Sequence, residues 1–381
     1  MYVEAYTAHK LNMTKIINFA KKEAVLCISA LCAAVSMFFV RPSAGYADYI
    51  DLRVLCLLFC LMVVVLGLQS CGLFAKLAEK LLKLCGGMRS VSCVLVLLPF
   101  FTSMAVTNDV ALITFVPFAI MVLGLVGHKE LTARIIALQT VSANLGSMAT
   151  PVGNPQNLYI YSHYELSAAD FFGVLLPFVL VSFIGVAAAS LCTKNITVTN
   201  SFSEKKKLNE PKKLAVYALL FALCLLSVFR LINYLLLTAI VTAAMLVLSP
   251  KLLLKADYGL LATFVCFFIF AGNLGEIEAV KSFFRSLLSE STFFTSAFAS
   301  QLISNVPAAL LLSGFTDDWR GLLAGVDIGG LGTPIASLAS LISLKLYMKT
   351  ENAKPLGYIG FFTAVCAVFF AVLAAMYIMI Y

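Results

Sequence analysis

Two stretches of the sequence, offset by 183 residues, decide the predicted fold. Residues 143–164 read ANLGSMATPVGNPQNLYIYSHY, and residues 326–347 read VDIGGLGTPIASLASLISLKLY. Aligned without gaps, they place Gly146 opposite Gly329 and the Thr-Pro pair at 150–151 opposite the pair at 333–334. Each stretch is an apolar segment that Gly and Pro, residues unfavourable to a continuous helix, interrupt near its middle. The two stretches predict an internal repeat built around a broken helix.

The composition of the whole chain places these stretches in a membrane. Of the 381 residues, 61% are hydrophobic and 12% are charged, and the mean hydropathy is +0.98. A soluble domain is roughly 45–50% apolar and about 25% charged. The composition excludes a soluble enzyme, a nucleic-acid-binding protein and a disordered chain, and it predicts an all-α polytopic membrane protein. The eleven cysteines are scattered through apolar runs, which predicts neither a disulfide framework nor a fixed metal site.

The apolar runs and the basic residues together predict the topology. One crossing takes roughly 20 apolar residues, and nine are predicted, near residues 24–40, 51–69, 134–162, 170–192, 214–231, 233–249, 258–272, 320–346 and 356–380. Segments 90–124 and 291–315 carry polar residues at their middle and are predicted to be re-entrant hairpins. The predicted topology places the N-terminus in the cytoplasm and the C-terminus outside the cell membrane. The outside segments then hold only six basic residues, Arg41, Arg53, Arg230, Lys281, Arg285 and Arg320. The inside segments hold all the other Lys and Arg residues, as the positive-inside rule requires.

The predicted domain organisation has five parts. They are a cytoplasmic N-terminal segment, a first repeat, a cytoplasmic linker, a connecting transmembrane helix and a second repeat, at 1–23, 24–192, 193–213, 214–231 and 233–381. Each repeat is expected to hold two spans, a hairpin, a broken helix and a last span. The connecting helix inverts the second repeat relative to the first. Met13 would also serve as a translation start, which leaves open whether residues 1–12 belong to the native chain.

The polar residues of the hairpin tips are the predicted transport site. The first tip carries Thr107, Asn108 and Asp109, and the second carries Ser304 and Asn305. Paired interrupted segments in the two halves of a transporter point to a binding site near the bilayer midplane. Free helix ends there bind ions, because their backbone amides favour anions and their carbonyls favour cations. A helix cap or an interhelical hydrogen bond is the alternative explanation of any single tip residue.

Two acidic residues stand out in the apolar segments. An acid inside the membrane is a candidate for cation binding or proton transfer, and Asp109 fits both roles, with a helix cap as the alternative. Asp327 lies opposite Asn144 in the alignment and is interpreted either as part of the broken helix or as an outer-vestibule residue. No basic residue lies in the apolar arms of either predicted hairpin, so an anionic substrate would depend on helix ends, amides and co-bound cations.

These motifs resemble those of the ion transporter superfamily, which contains divalent-anion/sodium symporters, citrate transporters, arsenite permeases and sodium/proton antiporters. The resemblance implies that substrate and transient sodium bind between the hairpin tips and the unwound segments of a homodimer that moves like an elevator. It implies substrate binding by Thr107, Asn108, Asp109, Thr150, Pro151, Asn154, Asn157, Ser304, Asn305, Thr333, Pro334 and Ser337. It implies ion coupling by Thr107, Asn108, Asp109, Gly146, Ser304, Asn305 and Gly332.

The chain departs from the carboxylate symporters at the third tip residue. Asp109 and Val306 stand where those symporters have Thr, and the string NDVALITFVP from residue 108 is more similar to the arsenite permeases. The sequence predicts a cation-coupled secondary transporter that moves a small anion, such as a carboxylate or an oxyanion, by alternating access. An arsenite efflux permease and a sodium/proton antiporter remain alternatives.

Two classes of protein that do not transport are disfavoured. An intramembrane aspartyl protease would use Asp109 and Asp327, but neither acid stands in a Gly-x-Gly-Asp string. A membrane scaffold would not need polar tips at membrane depth. No GxxxxGK[ST] string is present, so we expect no ATP hydrolysis and no enzyme. The expected partners are a small solute and membrane lipid, with no nucleic acid and no cofactor beyond sodium or a proton. Lys205–Lys207 are expected to enforce the orientation of the chain or to contact anionic lipid.

Overall fold

The chain folds into helices, as shown by a computed structural model that describes residues 23–194, 196, 210–351 and 353–381. Residues 1–22 of the predicted N-terminal segment, and most of the predicted linker with Lys205–Lys207, lie outside the described residues. The first helices are α1 (Ala24–Ser36), α2 (Leu52–Ser70), α3 (Leu73–Leu82), α4 (Met88–Ser103), α5 (Asn108–Leu125), α6 (Thr132–Ser147), α7 (Pro155–His163), α8 (Ala168–Leu191) and α9 (Pro211–Val228). The others are α10 (Tyr234–Leu248), α11 (Pro250–Leu253), α12 (Tyr258–Gly275), α13 (Glu278–Glu290), α14 (Thr292–Ile303), α15 (Asn305–Leu312), α16 (Trp319–Ile328), α17 (Leu338–Tyr347) and α18 (Pro355–Ile380).

Six helices of the described residues are long and apolar enough to cross a membrane: α2, α5, α8, α9, α12 and α18. Helices α1, α4, α10 and α17 are apolar but shorter, and so is the segment formed by α15 and the 3-10 turn after it. Large apolar side chains such as Val247 and Leu356 are exposed on the protein surface, where water would disfavour them. The protein is therefore a multi-pass membrane protein.

The described helices follow the same order on either side of α9. Helices α1, α2, the amphipathic α3, α4–α5, α6–α7 and α8 form a first set, and α10, α12, the amphipathic α13, α14–α15, α16–α17 and α18 form a second set. The contacts between the sets are reciprocal, because α1 packs on α12 while α10 packs on α2. The helix that follows each break also packs on the hairpin of the other set: α17 packs on α5, and α7 packs on α15.

Each set contains a helical hairpin and a broken helix at the predicted positions. Residues 104–107 join α4 to α5, and Ser304 alone joins α14 to α15. The breaks span residues 148–154 and 329–337. The hairpin arms have 16, 18, 12 and 8 residues.

Glycine allows each hairpin to approach its broken helix closely. A Cβ atom on Gly146 would lie 2.1 Å from the carbonyl oxygen of Phe100, and one on Gly329 would lie 2.6 Å from Cα of Ala297. Phe100 and Ala297 each stand eight residues before the tip asparagine of their hairpin. Both contacts are shorter than any side chain permits, so the packing of α4 on α6 and of α14 on α16 depends on glycine.

Candidate transport site

Each hairpin tip is bound through its backbone to the break of its own set. The Asn108 amide donates to the Gly153 carbonyl at 3.2 Å, and the Asn305 amide donates to the Ala336 carbonyl at 3.0 Å. Gly153 and Ala336 are opposite one another in the offset of 183 that aligns the two stretches. The N-terminal ends of α5 and α15 therefore lie beside the two breaks.

The tip asparagines form the same local turn. Asn108 Oδ1 accepts from the Asp109 amide at 2.9 Å, and Asn305 Oδ1 accepts from the Val306 amide at 3.0 Å. Both side chains are buried, with 7% and 5% of their surface exposed. An Asn at this point satisfies one of the free amides that every helix leaves at its first turn.

Asn144 on α6 connects the first tip to the second break. Its Oδ1 atom accepts from Asn108 Nδ2 at 2.9 Å and from Ser337 Oγ at 3.2 Å, and its Nδ2 atom donates to Ser340 Oγ at 3.1 Å. Ser337 follows Ala336, whose carbonyl binds the Asn305 amide. A continuous run of polar contacts therefore joins the tips of both hairpins.

Asp327 on α16 holds the equivalent place in the second set. It is 3% exposed, and its Oδ1 atom accepts from Gln156 Nε2 on α7 at 3.0 Å. The amide side chains of Asn154 and Asn157 lie beside the same carboxyl group. Asp327 is therefore buried at the junction of α16 and α7, and the interpretation of an outer-vestibule residue is wrong because α7 packs over it.

Asp109 lines a cavity of about 600 Å³. The wall of this cavity includes Thr107 from the tip and Asn154 from the first break, with apolar residues of α2 along one side. Lys255 and Asp257, just before α12, also line it. The Oδ1 atom of Asp109 is buried without a hydrogen-bond partner. The first tip is thus reached from the region that precedes α12.

Asn157 and Thr150 hold the first break in shape. Asn157 Nδ2 donates to the carbonyls of Ser147 and Thr150 at 3.3 and 3.2 Å, and Thr150 Oγ1 donates to the Met104 carbonyl. Pro151 is buried in the middle of the break. These contacts fix the backbone between α6 and α7, so Asn157 and Thr150 position the site.

The second break is held from the hairpin instead. Gln301 Nε2 donates to the carbonyls of Gly329 and Leu331 at 2.6 and 2.9 Å, and its Oε1 atom accepts from the Thr333 amide at 3.0 Å. Gly332, with φ of +153°, lies against this side chain. Thr333 is exposed and Pro334 half-buried, so neither side chain joins the contacts around Asn144.

Ser304 forms the second tip in a strained conformation. Its φ of +73° with ψ of 155° is a combination that residues other than glycine rarely adopt. Its hydroxyl is 3.4 Å from both Asn305 Oδ1 and the Ala336 carbonyl oxygen. Strain of this kind persists where the surrounding structure imposes it, and it is frequent at binding sites.

Sequence reasoning missed several residues of this site. Asn144, Gln156, Ser340 and Gln301 were not predicted as site residues, and Asp327 was not included in the site. The alignment of the two stretches carried the signal, because it places Asn144 opposite Asp327 within segments that break in a membrane. Among the described residues, no group of three His, Cys, Asp or Glu side chains could hold a metal ion.

Comparison with known proteins identifies the family. Residues 13–317 match the citrate transporter family, CitMHS. The chain belongs to this family. It is 31% identical to an uncharacterized transporter of Methanocaldococcus jannaschii over 291 residues, which are 76% of this chain and 79% of the relative. It is 28% identical to the inner membrane protein YbiR of Escherichia coli over 329 residues, 83% of this chain and 86% of the relative.

A third relative matches over a shorter part. The silicon efflux transporter LSI3 of Oryza sativa is 37% identical over 156 residues, 40% of this chain and 31% of that protein. The family match confirms the resemblance to the ion transporter superfamily that the motifs indicated. This member of the citrate transporter family is a membrane transporter, and its relatives' names do not specify one common solute.

Proposed function

We propose that this chain is a cation-coupled secondary transporter that moves a small anion by alternating access. The observation that carries the proposal is the run of contacts from Asn108 through Asn144 to Ser337. It lies where four helices begin, α5, α7, α15 and α17, and where four others end, α4, α6, α14 and α16. Non-helical backbone at membrane depth must be buried in protein or line a water-filled cavity.

The charges around these helix ends support coupling to a cation. Neither hairpin carries a Lys or Arg within its described helices except Arg89, which lies in the first turn of α4. The N-terminal ends of four helices offer backbone amides to an anion, while Asp109 and Asp327 offer carboxylates to a cation. An anion therefore binds best together with a positive ion that offsets its charge and that of the acids.

The cavity beside Asp109 supports alternating access. Its wall reaches Lys255 and Asp257, which lie on a predicted cytoplasmic segment. With the N-terminus in the cytoplasm and the C-terminus outside, the chain is proposed to cross the cell membrane nine times, with two re-entrant hairpins in inverted repeats. In that topology the cavity opens toward the cytoplasm. The protein is further proposed to form the homodimer that the resemblance implies.

The departure at Asp109 favours a second candidate. A carboxylate replaces the hydroxyl at the tip, which suits a transporter that expels a weakly acidic oxyacid or exchanges sodium for protons. The part of the chain that is similar to a silicon efflux transporter is consistent with an oxyacid solute. This candidate uses the same site and differs in the direction of flux and in the solute.

Uptake into proteoliposomes tests the proposal. The solutes are citrate, succinate, sulfate, arsenite and sodium, each with and without sodium and proton gradients. We expect gradient-dependent flux of one solute, and its loss in Asn108→Ala and Asn305→Ala. Asn273→Ala is the matched control, because Asn273 is also buried but binds Ser36 and Tyr46, which belong to neither hairpin nor break. Normal flux in both tip variants would contradict the site, and absence of any flux would contradict the function.

A further inference from the structure

Asn144 and Asp327 occupy equivalent positions with exchanged partners. Asn144 on α6 faces Ser337 and Ser340 of the second set, and Asp327 on α16 faces Asn154 and Asn157 of the first set. The offset of 183 that relates Asn144 to Asp327 also relates Asn154 to Ser337 and Asn157 to Ser340. The chain therefore builds one junction twice, with an amide in one copy and a carboxyl group in the other.

The two junctions differ in how well their polar atoms are paired. The Oδ1 and Nδ2 atoms of Asn144 both have hydrogen-bond partners. At the other junction, Oδ2 of Asp327 and the Oδ1 atoms of Asn154 and Asn157 are buried without a partner. All three atoms are acceptors, and each of them lacks a donor. An ionised carboxylate only accepts hydrogen bonds, whereas a protonated one also donates.

Among the residues that the structure describes, no basic side chain compensates the charge of an ionised Asp327. Helix α16 packs against α6, α7, α8, α14, α15 and α18. The charged and His groups of these helices are Arg134, His163 and Asp170, each close to a helix end, and α14, α15 and α18 contain none. None of these three groups acts on the Asp327 carboxyl group, and neither do the tyrosines of α7 and α18 or the cysteine of α18. Its polar neighbours are the side-chain amides of Gln156, Asn157 and Asn154. A bare buried carboxylate is strongly disfavoured unless it is paired or neutralised.

We propose that Asp327 is the residue at which this transporter carries a proton, which binds Oδ2 and is released once in each transport cycle. This inference rests on the proposed function, since it assigns a residue to the coupling ion of a cation-coupled transporter. A protonated carboxyl group resembles the Asn144 amide in shape and, like it, has an acceptor oxygen on one side and a donor on the other. Each cycle transfers one proton from water on one side to Oδ2 and from Oδ2 to water on the other side.

The contact between α7 and α16 links the proton to movement. Gln156 and Asp327 belong to different sets, and their hydrogen bond joins the two halves. Loss of the proton leaves an unpaired charge between these helices, which water must reach. The deprotonated state therefore favours separation of α7 from α16, and the protonated state favours the closed junction seen in this structure.

Infrared difference spectroscopy tests the proton directly, without a transported solute. The purified chain is reconstituted in phosphatidylcholine and phosphatidylglycerol vesicles and titrated from acid to alkaline pH. We expect a carboxylic-acid carbonyl band at neutral pH that Asp327→Asn removes. Asp170→Asn is the matched control, because Asp170 is exposed at the start of α8, and this variant keeps the band. Absence of the band in the unmodified chain, or its loss on adding sodium, would overturn the proposal.

Citrate flux tests the coupling. With the membrane voltage clamped by potassium and valinomycin, one proton per solute and a gradient of one pH unit give about tenfold accumulation. We expect Asp327→Asn to lose this accumulation while still exchanging internal for external citrate, and Asp327→Glu to retain part of it. Accumulation that persists in Asp327→Asn would overturn the proposal. If citrate does not move at all, the proposed function fails for this solute, and the infrared result still decides the proton site.

Discussion

Replacement of Asn144 by Ala should separate the stability of the site from its function. The change removes three hydrogen bonds, to Asn108, Ser337 and Ser340. Hydrogen bonds between membrane helices contribute on average about 0.6 kcal/mol each. The expected loss in the free energy of unfolding is thus about 2 kcal/mol. Because the run of contacts between the two tips is interrupted, we also expect solute flux to fall to background.

Reversible unfolding in mixed micelles of detergent and sodium dodecyl sulfate measures the free energy of unfolding. A double-mutant cycle isolates the contribution of the contact between Asn108 and Asn144. Asn108→Ala, Asn144→Ala and the double variant should give a coupling energy of about 0.6 kcal/mol and at most about 1.7 kcal/mol. Asn273→Ala is the control for buried Asn in general. It loses two hydrogen bonds of 2.9 Å each, so it should lose about 1 kcal/mol and keep its flux.

Two results would refute this reasoning. A coupling energy of zero between Asn108 and Asn144 would mean that their contact contributes nothing to the fold. Equal loss of flux in Asn144→Ala and Asn273→Ala would mean that flux follows stability alone. In that case the run of contacts between the tips would have no special place in transport.

Three further predictions address the carboxylate, the topology and the packing. Asp109→Asn should change the sodium or pH dependence of flux, because Asp109 lines the cavity beside the first tip; an unaltered dependence would make it a helix cap. Cysteines in Lys129→Cys and Asp317→Cys should react with impermeant thiol reagents from opposite faces of the membrane, and labelling from one face would refute the inverted topology. Gly146→Ala should cost about 1–3 kcal/mol in the unfolding assay, because the added methyl group overlaps a backbone oxygen of α4. Gly173→Ala, with nothing within 4 Å of the added carbon, should be neutral or should stabilise the protein by up to about 1 kcal/mol, and equal effects of the two changes would contradict the proposed packing.

The positions of the helices could be predicted closely because they follow from local composition. The predicted span 51–69 is observed as Leu52–Ser70, and the predicted hairpin segment 90–124 is observed as two helices over residues 88–125. Gly, Pro and polar residues mark the breaks, since each one interrupts an otherwise apolar run. The unequal lengths of the hairpin arms could not be predicted, because an apolar run does not reveal where packing against a neighbour ends a helix.

The pairing of polar side chains could not be predicted from the same patterns. Thr150 and Thr333 are aligned in the sequence, yet Thr150 is half-buried and bound to Met104, while Thr333 is exposed. The difference arises because Gln301 supports the second break from the hairpin. A shared motif therefore predicted a shared backbone path without predicting the same contacts for each side chain.

The sequence by itself predicted a polytopic membrane protein with two hairpins and two interrupted helices, and its motifs indicated a transporter. Hydrophobicity and helix-breaking residues act locally, and they are readable in one chain. Only the tertiary structure decided which polar groups meet. Gln156 and Asp327 are 171 residues apart in the chain, and Asn144 and Ser340 are 196 apart. Such contacts depend on how the two sets of helices pack together, and that packing places the buried Asp327, as well as Asp109, among the acids of the candidate site.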